Sequence, residues 1–193
     1  PRDEQVILGR QNIFDGTWQK TPSMGWTFLP LVSYKGGGAA ATIEPLCEHL
    51  DTYAAHLAQN FGSGIQCSYR GSRLFDTEAT KTVVKKWVDF YKQYRPILDS
   101  DIIHVRRPDA RGLDCMMHVN PRLKQKGLAM VFNPLDRPVT TTLRLPLYYT
   151  GLGDTASIRR EEGQPVSYPL DRQYRVELPV EMGPRSATWF VIE

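Results

Sequence analysis

The chain has 193 residues, room for one large domain or two small ones. Its 41% hydrophobic and 23% charged residues are those of an ordinary globular protein. A net charge of +3 with scattered basic residues argues against a nucleic-acid binder, which would gather Lys and Arg on one face, and no run approaches the ~18 apolar residues of a membrane span.

The opening Pro1-Arg-Asp-Glu4 reads as an interior sequence, so a further segment is expected before it. Gln5-Val-Ile-Leu-Gly9 is a short apolar run and predicts a buried strand, followed by a polar, turn-rich stretch with Asp15-Gly16 and Pro22. Trp26 to Tyr34 is β-branched and aromatic, a second strand interrupted at Pro30. A glycine-rich loop over Lys35–Ala41 leads to Thr42, a candidate helix N-cap. Leu46, Leu50, Tyr53, Leu57 and Phe61 then form one helical stripe, which Gly62 and Gly64 end. Ile65–Tyr69 predicts the next strand. Asp76 or Thr77 opens another helix, with Val83, Val84, Trp87, Phe90, Tyr91 and Tyr94 on its apolar face and Pro96 near its end. Alternating strands and helices imply a parallel sheet with helices packed on it, an α/β segment over residues 1–100.

After Ser100 the pattern changes. Strands are expected at Gly127–Asn133, Val139–Leu145, Leu147–Tyr149, Ala156–Arg159, Tyr174–Leu178 and Ala187–Ile192, at intervals of about ten residues with Gly, Pro or Asp between them. That rhythm predicts an antiparallel β-sandwich over residues 101–193. Thr140, Thr142 and Arg144 alternate with Val139, Thr141, Leu143 and Leu145, so one face of that strand should meet water.

Several chemistries are set aside on spacing. Cys47, Cys67 and Cys115 are odd in number and far apart, fitting neither a disulfide framework nor paired zinc ligands. His49 and His56 share a helix face but lack the His-Glu-x-x-His pattern, so no metal is expected. The Lys35–Thr42 loop lacks the Gly-Lys-Ser/Thr ending of a phosphate-binding loop and the dinucleotide fingerprint, so no cofactor is expected either.

The ordered series Arg10…Asp15-Gly-Thr-Trp18, Met24-Gly-Trp26 through Leu31-Val32, a helix, Gly64-Ile-Gln-Cys-Ser-Tyr-Arg70, a second helix and then a sandwich resembles the last third of a melibiase-type α-galactosidase. Gly127-Leu-Ala-Met-Val-Phe-Asn-Pro134 is similar to the strand opening that family's terminal sandwich, and His104–Asn120 resembles the linker strand of related carbohydrate-active enzymes. The resemblance implies the last units of a (β/α)8 barrel followed by a C-terminal antiparallel β-sandwich. It also implies a retaining glycoside hydrolase whose sixth strand ends in an Arg (here Arg10), followed by an acid (Asp15) and a Thr-Trp pair (Thr17-Trp18). The sequence departs from the family where Thr27-Phe-Leu-Pro30 replaces Asp-Pro-Asp, and Asp15 lies closer to Trp18 than is usual. The family's nucleophile falls on the fourth strand, before any residue of this chain.

Retaining glycosidases need two carboxyl groups roughly 5 Å apart, both projecting from the C-terminal ends of barrel strands. On that basis Asp15 is the candidate acid/base, or else an ordinary turn aspartate. Arg70, ending a strand, is a candidate sugar contact or a salt-bridge partner. Arg10 joins it on the resemblance, and Trp18 and Trp26 could stack on a pyranose or simply fill a core. The expected partners are a carbohydrate substrate and an N-terminal portion of the same enzyme, without which the chain should be inactive. The rival reading is a non-catalytic carbohydrate- or protein-binding sandwich module. The enzyme predicts a cleft at the strand ends; the module predicts an exposed aromatic platform.

Overall fold

The structure, a computed structural model, describes residues 2–19, 26–31 and 42–193. Expectations for the glycine-rich loop, for residues 32–34 of the second strand and for Pro22 and Met24-Gly25 fall outside the described residues. The chain divides into two units, residues 1–95 and 96–193.

The first unit opens with a correction. Residues expected as a strand and a turn form one helix, α1, Arg2–Gln19. The reason is a helical stripe of mixed chemistry. Val6, Arg10, Ile13 and Thr17 are its buried positions, spaced four, three and four residues apart, but two of them are polar. The Thr17 hydroxyl returns its hydrogen bond to the Ile13 carbonyl, 2.7 Å away, so it satisfies itself within the helix. Glu4, in the first turn, complements the N-terminal end of the helix dipole.

Strand β1, Trp26–Pro30, and strand β2, Gln66–Arg70, pair in parallel, joined through a 3-10 turn at Leu46–His49 and helix α2, Leu50–Gly62. Thr42 caps a turn instead of the helix: its hydroxyl donates to the Leu31 carbonyl at 2.7 Å and accepts the Glu44 amide at 3.1 Å. Helix α3, Glu78–Leu98, follows the pattern expected of it, burying Val84, Trp87, Phe90 and Tyr94. It continues two residues beyond Pro96. Its start is held by Thr77, whose hydroxyl accepts the Thr80 amide at 3.3 Å.

The second unit is antiparallel β, with no α-helix after Leu98. Strands β3 (Asp101–Arg106), β4 (Asp114–Val119), β5 (Gly127–Phe132), β7 (Thr155–Arg160), β8 (Val166–Pro169) and β10 (Ala187–Ile192) form a six-stranded sheet in the order β3-β4-β5-β10-β7-β8. Strands β6 (Val139–Pro146) and β9 (Arg175–Met182) form a separate ribbon. Side chains of both layers share one core, with Met117, Val131, Leu145, Ile158, Leu178 and Phe190 among them. Along β6, Leu143 and Leu145 are buried while Thr140, Thr142 and Arg144 face water, as expected; Thr141, however, is exposed. Leu147–Tyr149, expected as a strand, is instead the approach to a 3-10 turn at Tyr148–Thr150, closed by Gly151 in the left-handed region at φ 72°. That is a position where glycine avoids the Cβ clash.

Candidate functional site at the strand ends

In a parallel β–α–β unit the C-terminal strand ends share one rim, and ligands of such folds gather there. Here the rim is built by the residues following β1 and β2. Leu31, fully buried, donates its amide to the Arg70 carbonyl at 2.8 Å and accepts the Glu44 amide at 3.1 Å. Gly71 follows at once. A Cβ there would come within 2.8 Å of the Leu31 Cβ, so the close approach of the two strand ends requires glycine.

The loop between β2 and α3 is tied to the entry of α2 in three ways. Arg73 makes a two-pronged contact with Glu44, Nε to Oε1 at 3.1 Å and Nη2 to Oε2 at 3.0 Å. The Cys47 amide donates to an Asp76 carboxylate oxygen at 3.0 Å, and the other oxygen accepts the Thr80 hydroxyl at 2.9 Å. The Tyr53 hydroxyl donates to the Leu74 carbonyl at 2.8 Å. Burial, reinforced by the charges of Asp76 and Glu44, pushes the Tyr53 phenol up to about 12, so it stays a neutral donor. These restraints hold Arg70, Leu74 and Phe75 in exposed positions beside the strand ends.

The five residues expected to form the site take different places. Arg10 is buried on α1, its guanidinium donating to the Gln59 side-chain oxygen on α2 at 3.4 Å. Asp15 lies on an exposed part of the same helix, and Trp18, also on α1, is 68% exposed. Asp15 therefore stands on a helix and not beyond a strand. The β1–β2 register pairs Trp26 with Gln66 and Pro30 with Arg70, so Trp26 and Arg70 stand at opposite ends of the parallel pair. The sequence marks Tyr53 as part of a helical stripe and Asp76 as a helix opener, but nothing local in it brings them together with Glu44 and Arg73. Only the parallel pairing brings segments 29 residues apart to one rim.

Behind the rim lies a polar relay. The Arg10–Gln59 contact continues through the Gln59 amide to His56 Nδ1 at 3.4 Å, and Asn60 donates to the Tyr69 hydroxyl at 3.4 Å. With Nδ1 accepting, the His56 proton sits on Nε2, which has no hydrogen-bond partner among the described residues. Burial, then the nearby Arg10 charge, lowers the His56 pKa to about 4. Among the described residues no group of three or more His, Cys, Asp or Glu is placed to hold a metal, and no helix is long and apolar enough to cross a membrane.

No protein-family model matches the sequence, and no curated protein matches it. Solved structures do. The α-amylase of Geobacillus thermoleovorans, complexed with acarbose, matches 98% of the chain at TM-score 0.61 and 12% identity. A GH36 α-galactosidase of Geobacillus stearothermophilus with raffinose matches 97% at TM-score 0.59 and 20% identity, and the galactosidase domain of an α-galactosidase–sucrose kinase matches 97% at 0.59 and 17%. The chain therefore shares its fold with parts of these α-amylase and α-galactosidase structures. The chain spans 47% of the amylase and 24% of each galactosidase chain.

Proposed function

We propose that the chain is the C-terminal part of a retaining glycoside hydrolase of the α-galactosidase type. In this reading β1–α2–β2–α3 are the last units of an eight-stranded barrel, and the antiparallel unit is its terminal β-sandwich. The observation that carries it is the parallel strand pair whose C-terminal ends form one braced rim, followed by a two-layer antiparallel unit. The fold shared with glycosidases over nearly the whole chain supports it.

Arg70 is the sugar contact in this reading, since its backbone ends β2 at the rim. Its guanidinium would donate to sugar hydroxyls or orient a carboxylate from a neighbouring barrel strand. The rim's own carboxylates are engaged, Glu44 by Arg73 and Asp76 by Cys47 and Thr80, and they brace the loop. Trp18 is an aromatic surface for a pyranose face, Trp26 stands at the opposite end of the pair from Arg70 and is left out of the site, and Asp15 is the acid/base assigned by resemblance. Double displacement needs a second carboxylate on an upstream strand, so the 193-residue chain alone should not turn over.

The test is hydrolysis of an aryl α-galactoside by the purified chain and by the complete enzyme. The complete enzyme should be active and the chain inert. Measurable turnover by the chain, abolished by Asp15→Asn, would overturn the need for upstream strands. In the complete enzyme Arg70→Ala should lower kcat/KM by about tenfold or more. Asp15→Asn should lower kcat by about 10²-fold or more. A change within twofold would remove Asp15 from the chemistry.

A further inference from the structure

The antiparallel unit carries an exposed aromatic cluster that the strand-end site does not use. Tyr148 and Tyr149 are each 62% exposed and Tyr174 is 41% exposed. The Tyr148 ring meets Tyr149 at 5.2 Å and Tyr174 at 5.4 Å between centroids, near edge-to-face in both cases, at 87° and 73°. Two segments far apart in sequence are built to hold this arrangement. Leu147, fully buried, anchors the 3-10 turn and donates its amide to the Tyr174 carbonyl at 2.8 Å. Asp171 locks the other segment, its carboxylate accepting the Gln173 amide at 2.7 Å and the Arg175 amide at 2.9 Å.

Tyr174 itself sits at φ 57°, in the left-handed region. Glycine would occupy that conformation without the Cβ strain an aromatic residue meets. Strain of this kind persists where the surrounding structure enforces it, and it concentrates at binding sites. Here the turn enforces it: the Tyr174 amide donates to the Asp171 carbonyl and the Asp171 amide to the Arg175 carbonyl, both at 2.9 Å, which holds the ring against Tyr148.

The geometry points to a second carbohydrate site: a surface patch formed by Tyr148, Tyr149 and Tyr174 that holds a neutral polysaccharide away from the strand ends. The chemistry selects this ligand. Three uncharged phenols offer ring faces for sugar C–H groups and hydroxyls that both donate and accept. On the ribbon, Arg144 is paired with Glu177 at 2.5 Å and the Asp171 carboxylate is taken up by backbone amides. The choice of carbohydrate rests on the glycosidase reading, within which the patch would tether substrate without cleaving it.

Affinity electrophoresis of the 193-residue chain through gels containing galactomannan, soluble starch or xylan tests this. Retardation is expected in at least one gel, with Tyr148→Ala and Tyr174→Gly each weakening the apparent affinity by about tenfold or more. Tyr174→Gly relieves the left-handed strain, so its loss of binding cannot be put down to misfolding. Unchanged migration of the parent chain in all three gels overturns the site, as does undiminished retardation of both tyrosine variants. Retardation lost only in Arg70→Ala places the sugar at the strand ends, and this site then falls while the glycosidase reading stands. The readout is binding, so an inactive enzyme leaves it interpretable.

Discussion

At the scale of single residues, two glycines make opposite demands. Gly16 lies inside α1 with no atom of the described residues within 4 Å of where a Cβ would be, so Gly16→Ala should stabilise the helix by about 0.5–1 kcal/mol. Gly71 has the Leu31 Cβ at 2.8 Å, and Gly71→Ala should cost about 1–3 kcal/mol by prising the strand ends apart. Urea unfolding of both variants reads the two signs directly. His56 predicts a pH dependence. Its native pKa of about 4 lies below the ordinary 6.5, so between those values the unfolded chain takes up a proton that the native chain refuses. Stability should therefore fall as pH drops from 6.5 to 4, by up to about 3 kcal/mol, and this contribution should flatten below 4. The difference between wild type and His56→Gln across that window isolates it. An identical slope in both proteins would mean that His56 is already exposed to water in the native state.

At the scale of elements, the β6–β9 ribbon separates packing from charge. Leu178 is buried in the shared core, whereas its neighbour Glu177 pairs with Arg144 in water. Leu178→Ala should cost about 2–4 kcal/mol and Glu177→Ala less than about 1 kcal/mol, measured as shifts in denaturant midpoint. The same contrast explains what could be read from sequence. The faces of α3 and β6 were legible because their inward positions are mostly apolar, whereas on α2 only Tyr53 and Leu57 of the expected stripe are buried, beside His56, Gln59 and Asn60. The stripe of α1 was hidden because Arg10 and Thr17 occupy two of its four inward positions, leaving Gln5–Gly9 to resemble a strand. Strand β4 was legible only through its resemblance to a linker strand, because it is buried throughout and shows no alternation. The Glu44–Arg73 brace left no trace at all, since it depends on which loops the parallel pairing brings together.

At the scale of the whole molecule, each unit contains a thiol that can report on it. Cys67 lies in the first unit, where burial raises its pKa to about 12, and Cys115 lies in the core of the second, where burial raises it further. Cys47 is exposed. In the native protein, alkylation should modify Cys47 alone, because the thiolate is the reactive form. Among the described residues the first unit has two paired strands, while the second has a six-stranded sheet and a two-stranded ribbon around one continuous core. In rising urea, Cys67 should become reactive before Cys115, as mass spectrometry of the labelled peptides would show. Simultaneous release would mean that the two units unfold as one.

The outer strands of the six-stranded sheet bear on how the protein behaves at high concentration. Strand β3 changes register between His104 and Arg106, and β8 is only four residues long and ends in Pro169. A bulged border with charged residues on one side and a short, proline-terminated border on the other leave little straight backbone for a foreign strand to join. The six-stranded sheet should therefore resist edge-to-edge self-association, even though Val166 on β8 is exposed to solvent.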